Sequence, residues 1–140
     1  RVQMGTWTIV RTSHVFSLDS GGNFFMHVLR NLIEGNPVHA YTDQYSTPTD
    51  ADSLAKETAL VIEERKEGIL HLAGKETCSR YEYAKEIARL FGKGDVEPIT
   101  IPDDGRPKRV GLVSHLPSWR EGVERHISAF KENGPPKART

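Results

Sequence analysis

The sequence predicts an α/β fold, because segments typical of strands alternate with segments typical of helices along the whole chain. The length of 140 residues suits one domain with a single hydrophobic core. Hydrophobic residues make up 36% of the chain and charged residues 27%, which is typical of a soluble globular protein. These three observations indicate one folded domain, without internal repeats or low-complexity blocks.

The first part of the chain predicts a strand, a helix and a second extended segment. Residues 6–11 are rich in β-branched and aromatic side chains, which favour a strand. A turn is predicted at residues 20–22, and Asn23 is the expected N-cap of the helix that follows. Apolar side chains then recur at helical spacing until Gly35, a residue type that often ends helices. Residues 37–41 predict a short extended segment.

A polar loop is predicted for residues 42–50, where either Thr49 or Asp50 would cap the next helix. That helix is expected over residues 51–65 and is expected to close at Gly68. A compact apolar run at residues 69–73 follows directly and predicts a strand.

Two capping-box patterns predict helix starts in the second half of the chain. Ser79 with Glu82 forms one pattern, and Ser118 with Glu121 forms the other. In such a box the serine and the glutamate each satisfy a free amide of the first turn. The first of these helices is expected to end at Gly92, and a strand is predicted between the two helices.

The end of the chain predicts a disordered tail. The last helix is expected to run to about residue 131, and residues 132–140 carry an Asn-Gly-Pro-Pro run and a basic end. Residues 1–131 are therefore expected to form the folded part.

Composition excludes several classes of partner. Lys and Arg total 19, as do Asp and Glu, so nothing electrostatic predicts nucleic acid or an anionic membrane as a partner. No apolar run approaches the roughly 20 residues that cross a bilayer. Cys78 is the single cysteine, which excludes an intrachain disulfide and makes the cytoplasm the expected compartment. The six histidines show no metal-binding spacing, so no metal site is expected.

One pair of residues matches a catalytic spacing. Tyr81 and Lys85 fit the Tyr-x-x-x-Lys spacing of short-chain dehydrogenases, in which the lysine lowers the tyrosine pKa. Here the pair lies inside a capped amphipathic helix, and no Rossmann strand with a catalytic serine precedes it. We therefore interpret this pair as part of a helix surface. The glycine turn at residues 20–23 lacks the spacing of a phosphate loop, so a plain turn is favoured over an anion site.

Two polar clusters follow predicted strands. Residues 11–16 lie where the first strand ends, and ligands of open α/β sheets bind outside the carboxyl ends of strands. Residues 43–49 precede a helix and offer hydroxyls, an amide and a proline, but no charged acid–base pair. Such donors favour binding a polyhydroxylated ligand over cleaving one, although the second cluster also fits a simple capped loop.

Taken in order, the segments resemble dTDP-4-dehydrorhamnose reductase and its relatives in the extended short-chain dehydrogenase superfamily. The resemblance covers about residues 7–130, and it depends on the order of the motifs because no single motif is decisive. The matching segments are IVRTSHVF at 9–16, GNF at 22–24, DQ at 43–44 with PT at 48–49, ADSLA at 51–55, GILHLAG at 68–74, SRYEYA at 79–84 and RP at 106–107.

The resemblance implies the end of a Rossmann-type parallel sheet plus a small α/β substrate-binding lobe. In that family the Gly-rich cofactor loop and the catalytic residues lie upstream of the strand that begins this chain. The cofactor would be NADPH or NADH, held mainly by an N-terminal Rossmann half that these 140 residues do not include. By the same match, Thr12, Ser13 and His14 would lie near the nicotinamide.

The resemblance also implies a substrate pocket. The family often has Trp at the position of His14 and Tyr at that of Phe16, so an imidazole stands here in place of a stacking indole. Arg106 is the residue expected to meet the diphosphate of a nucleotide sugar. The residues implied for substrate binding are His14, Phe16, Asn23, Phe24, Gln44, Pro48, Thr49 and Arg106.

The leading hypothesis is the substrate-binding part of a reductase that reduces the 4-keto group of a nucleotide-linked deoxysugar, as in dTDP-rhamnose biosynthesis. A tyrosine outside these residues would protonate the alkoxide after hydride transfer, so the 140 residues alone are expected to show no turnover. A homodimer is a possible assembly. The rival is a non-catalytic, partner-binding member of the superfamily, like the regulatory subunit of methionine adenosyltransferase. An independent α/β binding domain is the third interpretation.

Overall fold

The computed structural model describes residues 5–18 and 21–135. Within these residues strands alternate with helices and most strand pairs are parallel, so the predicted α/β class is confirmed. No helix in this part of the chain is long and apolar enough to cross a membrane. The elements in chain order are β1 (Thr8–Arg11), β2 (Val15–Phe16), α1 (Phe24–Glu34), β3 (Val38–Tyr41), β4 (Tyr45–Ser46), β5 (Thr49–Asp50), α2 (Ala51–Glu63), β6 (Gly68–His71), β7 (Cys78–Ser79), α3 (Arg80–Phe91), β8 (Val96–Ile99) and α4 (Trp119–Asn133).

The described strands form four two-stranded sheets. β1 pairs with β6, β2 with β5 and β3 with β8 in parallel, whereas β4 and β7 are antiparallel. Parallel strands that are joined through a helix have their carboxyl ends at the same edge. The loop after β1 is therefore brought beside the chain that follows β6, where the amide of Leu72 donates to the carbonyl of Arg11 at 2.9 Å.

The first helix is confirmed at both ends. Asn23 caps α1, because its Oδ1 accepts the amide of Met26 at 3.0 Å. Gly35 ends the helix with a φ of 76°, and its own amide points back to the carbonyls of the last turn. Of the predicted turn before α1, residue 20 lies outside the described residues.

The second helix begins as predicted and ends earlier than predicted. Asp50 is its N-cap, with the carboxylate accepting the amide of Ser53 at 3.0 Å. The helix ends at Glu63, and the chain turns at Arg65, whose φ is 50°. The prediction that Gly68 closes the helix is wrong, because Gly68 starts β6 with a φ of 91°. Its conformational freedom serves the entry to the strand instead.

The third helix has the predicted capping box. Ser79 Oγ accepts the amide of Glu82 at 3.0 Å, and Glu82 Oε2 accepts the amide of Ser79 at 2.8 Å. The helix ends at Gly92, whose φ is 96°. Tyr81 and Lys85 both lie on this helix, with Lys85 Nζ 5.4 Å from the centre of the tyrosine ring, as expected of helix neighbours.

The fourth helix begins at the predicted place with a different cap. Ser118 Oγ accepts the amide of Arg120 at 3.2 Å, not the amide of Glu121. The Glu121 amide donates instead to the Ser118 carbonyl, so the predicted capping box is not formed. The helix continues to Asn133, inside the range predicted as tail, and residues 136–140 lie outside the described residues.

The predicted polar loop at residues 42–50 contains two short strands. β4 pairs with β7 and β5 pairs with β2, on either side of Pro48. Strands of this length show no periodicity in a sequence, and their partners are distant in the chain. The strand pairing therefore orders this segment, although its polar composition predicts a loop.

Two hydrophobic clusters hold the fold together. Burying one large apolar side chain contributes roughly 1.5–3 kcal/mol, so each cluster stabilises the elements that supply it. Cys78 lies in the larger cluster, and burial raises its pKa to about 12, so the thiol is protonated at neutral pH. The smaller cluster packs α2 against the end of β6 and the chain beyond it through Val61, Leu70, Leu72 and Leu116. The larger cluster packs α1, α3 and α4 around Phe16, Phe25, Leu29, Tyr83, Ile87, Trp119 and Val123.

Candidate functional site

A cavity of about 440 Å³ opens beside the start of α1. The loop after β1, the start of α3 and the segment between β4 and β5 meet around it. Its walls combine aromatic rings with neutral polar groups and one cationic side chain. The lining residues are His14, Val15, Phe16, Gly22, Asn23, Phe24, Phe25, Ser46, Pro48, Ser79, Arg80 and Tyr83.

Aromatic rings form the apolar part of the wall. Tyr83 meets the ring of Phe16 edge-on, with the ring centres 5.5 Å apart, and stacks on Phe24 with the centres 6.1 Å apart. Phe16 also packs against Phe25 at 5.7 Å. Such contacts stabilise a rigid aromatic surface, against which the flat face of a ring can pack.

Asn23 joins the loop after β2 to the start of α1. Its Nδ2 donates to the carbonyl of Ser17 at 2.9 Å, while its Oδ1 caps the helix at Met26. The side chain therefore fixes the position of the first turn of α1 at the cavity wall.

His14 lies in the loop between β1 and β2 and has a constrained conformation. Its φ is 38°, in the left-handed region that non-glycine residues seldom adopt, and its carbonyl accepts the amide of Thr49 at 3.2 Å. The Nδ1 atom is buried and has no hydrogen-bond partner among the described residues. Burial, and then the positive charge of Arg80, lowers the pKa of His14 to about 4. The imidazole is therefore neutral at neutral pH.

Arg80 and Tyr83 are cavity residues that the sequence analysis did not single out. The Arg80 guanidinium lies 4.6 Å from the centre of the Phe24 ring, and burial lowers the pKa of Arg80. Tyr83 is only 3% exposed, and its hydroxyl has no hydrogen-bond partner among the described residues. The sequence pattern that could have pointed to them is their spacing of three residues on a predicted helix, because residues at this spacing share one helix face.

The structure brings five of the predicted site residues to the cavity. His14, Phe16, Asn23, Phe24 and Pro48 line it, and their roles in binding stay predictions.

The other predicted residues lie elsewhere. Thr49 is buried, where its hydroxyl donates to the carbonyl of Thr47 at 3.1 Å and accepts the amide of Gly74 at 3.2 Å, so it serves the fold. Gln44 contributes its carbonyl to the Arg80 amide at 3.0 Å. Arg106 is exposed and does not line the cavity. It pairs with Asp104 at 2.6 Å, because the two residues lie in one tight turn.

Thr12 and Ser13 lie at the carboxyl end of β1, outside the cavity lining. Thr12 is exposed, and Ser13 is buried with an Oγ that lacks a hydrogen-bond partner among the described residues. The end of a parallel strand is the position where such side chains meet ligands in α/β sheets.

A separate buried polar group lies on the far side of Phe16. The Asp50 carboxylate accepts His126 Nε2 at 2.8 Å and Ser53 Oγ at 2.8 Å, and it also pairs with Arg125. Burial alone would raise the pKa of Asp50, but the bonds from His126, Ser53 and Arg125 outweigh it and hold the pKa well below its usual range. We call Asp50, Ser53, Arg125 and His126 the Asp50 clamp.

The one grouping of possible metal ligands found among the described residues consists of Asp50 and His126 of the clamp and the neighbouring, exposed Asp52. The guanidinium of Arg125 already neutralises Asp50, which disfavours a cation at the same carboxylate. The arrangement therefore fits a structural link between α2 and α4.

Comparison with solved structures identifies similar folds. The chain is similar to dTDP-4-dehydrorhamnose reductase of Bacillus anthracis in complex with NADP, with 28% identity and a TM-score of 0.78 over 86% of this chain and 48% of that one. A dTDP-4-dehydrorhamnose reductase of Clostridium acetobutylicum shows 28% identity and a TM-score of 0.79 over 89% and 49%. The chain thus spans about half the length of these reductases.

A more distant likeness supports the fold alone. The dTDP-glucose 4,6-dehydratase of Bacillus anthracis in complex with NAD is 16% identical, with a TM-score of 0.73 over 90% of this chain and 45% of that one. No curated protein sequence matches the chain. A family model does match, described as the RmlD substrate binding domain, over residues 1–131. Because this match covers nearly the whole chain, the chain belongs to the RmlD substrate binding domain family.

Proposed function

We propose that this chain is the substrate-binding part of an NAD(P)H-dependent reductase of a nucleotide-linked 4-keto-deoxysugar. The observation that carries the proposal is the cavity, which has an aromatic wall, neutral polar groups and one cation. Its volume lies within the range of small-molecule sites. A nucleotide sugar offers rings for the aromatic wall, hydroxyls for the polar groups and phosphates for the cation. Family membership and the reductases of similar fold support the same substrate class.

The residues at the end of β1 fit a nicotinamide at this edge. Ser13 Oγ and His14 Nδ1 are buried polar atoms without a partner among the described residues, and a ligand group could satisfy them. Thr12, Ser13 and His14 would therefore face the nicotinamide, whose chemistry is to deliver hydride to the keto carbon. Solved structures of similar fold contain NADP or NAD, and the choice between NADPH and NADH stays open.

The β1–β6 pair supports docking against a Rossmann half. Val10 and Leu70 face the smaller cluster, whereas Ile9 and Ile69 lie opposite each other and are about half exposed. Parallel strands with apolar side chains on both faces are typical of sheets that are covered on both sides. The uncovered face would pack against the remainder of a reductase.

The cavity itself is suited to binding, since burial raises the pKa of Tyr83 well above that of an ordinary tyrosine. A phenol with a raised pKa is a poor proton donor at neutral pH. Following the family resemblance, we assign proton transfer to a tyrosine outside these residues, so the chain alone is expected to show no turnover.

Calorimetric titration with dTDP-glucose tests the proposal on the 140-residue chain. Saturable binding is expected, and Phe24→Leu should weaken it about tenfold, because base or sugar stacking on an aromatic ring is worth roughly 1–3 kcal/mol. The matched control is Phe130→Leu, on a half-buried ring of α4 outside the cavity, which should change affinity less than twofold. Absence of saturable binding to any nucleotide diphosphate would contradict the proposal.

A further inference from the structure

Arg80 is a half-buried cation without a carboxylate partner among the described residues. The acidic groups on its own helix are already engaged. Glu82 Oε2 accepts the amide of Ser79 at 2.8 Å in the capping box, and Glu86 pairs with Arg89 at 2.7 Å. A partly desolvated guanidinium is costly unless an anion or several acceptors meet it. The surroundings of Arg80 therefore fit a site that is completed by an anionic ligand.

Tyr83 lies on the same wall, and its hydroxyl is a second incomplete group. It is buried, it has no hydrogen-bond partner among the described residues, and its residue lines the cavity. Leaving a buried hydroxyl unsatisfied destabilises the folded state. A phenylalanine would give the same packing without this cost, so the hydroxyl fits a donor that is used only when ligand is bound.

The two groups lie together at the start of α1. Both come from one face of α3, and both contact the ring of Phe24, the first residue of α1. The amides of a helix N-terminus add positive potential at this position. The geometry thus combines a cation, a neutral donor and a helix start, and the cavity residues add no carboxylate to oppose an anion.

We propose that Arg80 and the Tyr83 hydroxyl bind a phosphate group of the ligand in this cavity. The inference rests on the proposed function for the identity of that ligand. It transfers the role expected of Arg106 to Arg80, because Arg106 pairs with Asp104 outside the cavity lining. A guanidinium and a phenol both donate hydrogen bonds to phosphate oxygens. The bond between guanidinium and phosphate is the stronger of the two, because both of its partners are charged.

Binding of dTDP, inorganic pyrophosphate and thymidine to the 140-residue chain tests this assignment. Arg80→Gln should lower the affinity for dTDP and for pyrophosphate at least tenfold. It should change the affinity for thymidine less than twofold. Arg80→Lys should weaken the binding of dTDP and pyrophosphate less, because the charge is kept. The matched control is Arg109→Gln, since Arg109 also stacks on a ring, 4.5 Å from the centre of Tyr45, but lies outside the cavity lining. It should leave all three affinities within twofold.

Tyr83→Phe separates binding from folding. It removes one oxygen and keeps the ring, so thermal stability should be unchanged or higher while dTDP affinity falls about threefold to tenfold. If Arg80→Gln does not fold, Arg80→Lys and Tyr83→Phe decide the question by the same titrations. Equal affinities of wild type, Arg80→Lys and Tyr83→Phe for dTDP would then overturn the assignment.

The outcomes distinguish the inference from the proposed function. The phosphate role is overturned, and the proposed function stands, if dTDP binds wild type and Arg80→Gln equally well. The same holds if Arg80→Gln loses as much affinity for thymidine as for dTDP. If pyrophosphate binds through Arg80 but dTDP-glucose binds no better than pyrophosphate, the phosphate site stands and the nucleotide-sugar function fails. If neither pyrophosphate nor dTDP binds, both are overturned.

Discussion

The Phe16 ring contacts two regions that treat buried polar groups differently. On one side it meets His126 of the Asp50 clamp, and on the other it meets Tyr83 of the cavity. In the clamp, the carboxylate of Asp50 is satisfied by three side chains. In the cavity, His14 Nδ1 and the Tyr83 hydroxyl have no partner among the described residues. Polar groups that are paired within the protein stabilise the fold, whereas we propose that the unpaired groups of the cavity residues serve a ligand.

The largest expected effect comes from breaking the clamp. Asp50→Ala should lower the free energy of unfolding by about 3–5 kcal/mol, because it leaves His126 and Arg125 without their carboxylate and removes the cap of α2. Chemical denaturation measures the change. Asp52→Ala is the control, since this neighbouring carboxylate is exposed, and it should cost less than about 1 kcal/mol. Equal losses in the two variants would contradict a structural role for the clamp.

A smaller effect is expected from crowding the same region. Gly122 lies on α4, where an added Cβ would come within 2.8 Å of Asp50 Cβ and 3.0 Å of the Phe16 ring. Gly122→Ala should therefore destabilise the chain by about 1–3 kcal/mol, although alanine is the better helix former. Ser128→Ala, on the exposed face of α4, should be neutral or slightly stabilising. Stabilisation by Gly122→Ala would show that α4 does not pack this closely on Asp50.

The smallest expected effect is the pH dependence of stability that His14 of the cavity causes. Between about pH 4 and pH 6.5 the unfolded chain binds a proton at His14 that the folded chain does not, so the free energy of unfolding falls as pH is lowered through this window. His14→Gln should reduce that dependence, as measured by denaturation at a series of pH values. The lowered pKa of Asp50 acts only below its unfolded value near 3.8, outside this window.

Proton NMR gives the direct control for His14. Its imidazole should titrate near pH 4 in wild type and at a higher pH in Arg80→Gln, because the charge of Arg80 is the second cause of the shift after burial. Arg109→Gln should leave the titration unchanged. A midpoint near 6.5 in wild type would mean that the ring is hydrated and not part of the cavity wall.

Local patterns predicted the helices well. The cap at Asn23, the capping box of Ser79 and Glu82, and the closing glycines Gly35 and Gly92 depend on atoms a few residues apart, so the sequence contains the whole interaction. Ser118 shows where this fails, because a pattern allows a capping box without deciding which acceptor the Glu121 amide takes.

The candidate site was predicted in part, and only through the order of motifs that resemble one family. Five of the predicted residues line the cavity, yet Arg80 and Tyr83 were read only as part of a helix. A sequence does not report whether a cation has a partner. Thr49 shows the opposite case. In the sequence this polar residue beside a proline resembles a ligand contact, but in the structure its hydroxyl is hydrogen-bonded to Thr47 and Gly74.

By itself the sequence determined the α/β class, the helix starts and the interpretation of Tyr81 and Lys85 as helix neighbours, because these follow from short-range periodicity and capping. Only the tertiary structure decided that α3 turns Arg80 and Tyr83 toward Phe24, and that Arg106 pairs with Asp104 outside the cavity lining. The physical reason is that burial and charge pairing depend on groups distant in the chain, which packing alone brings together.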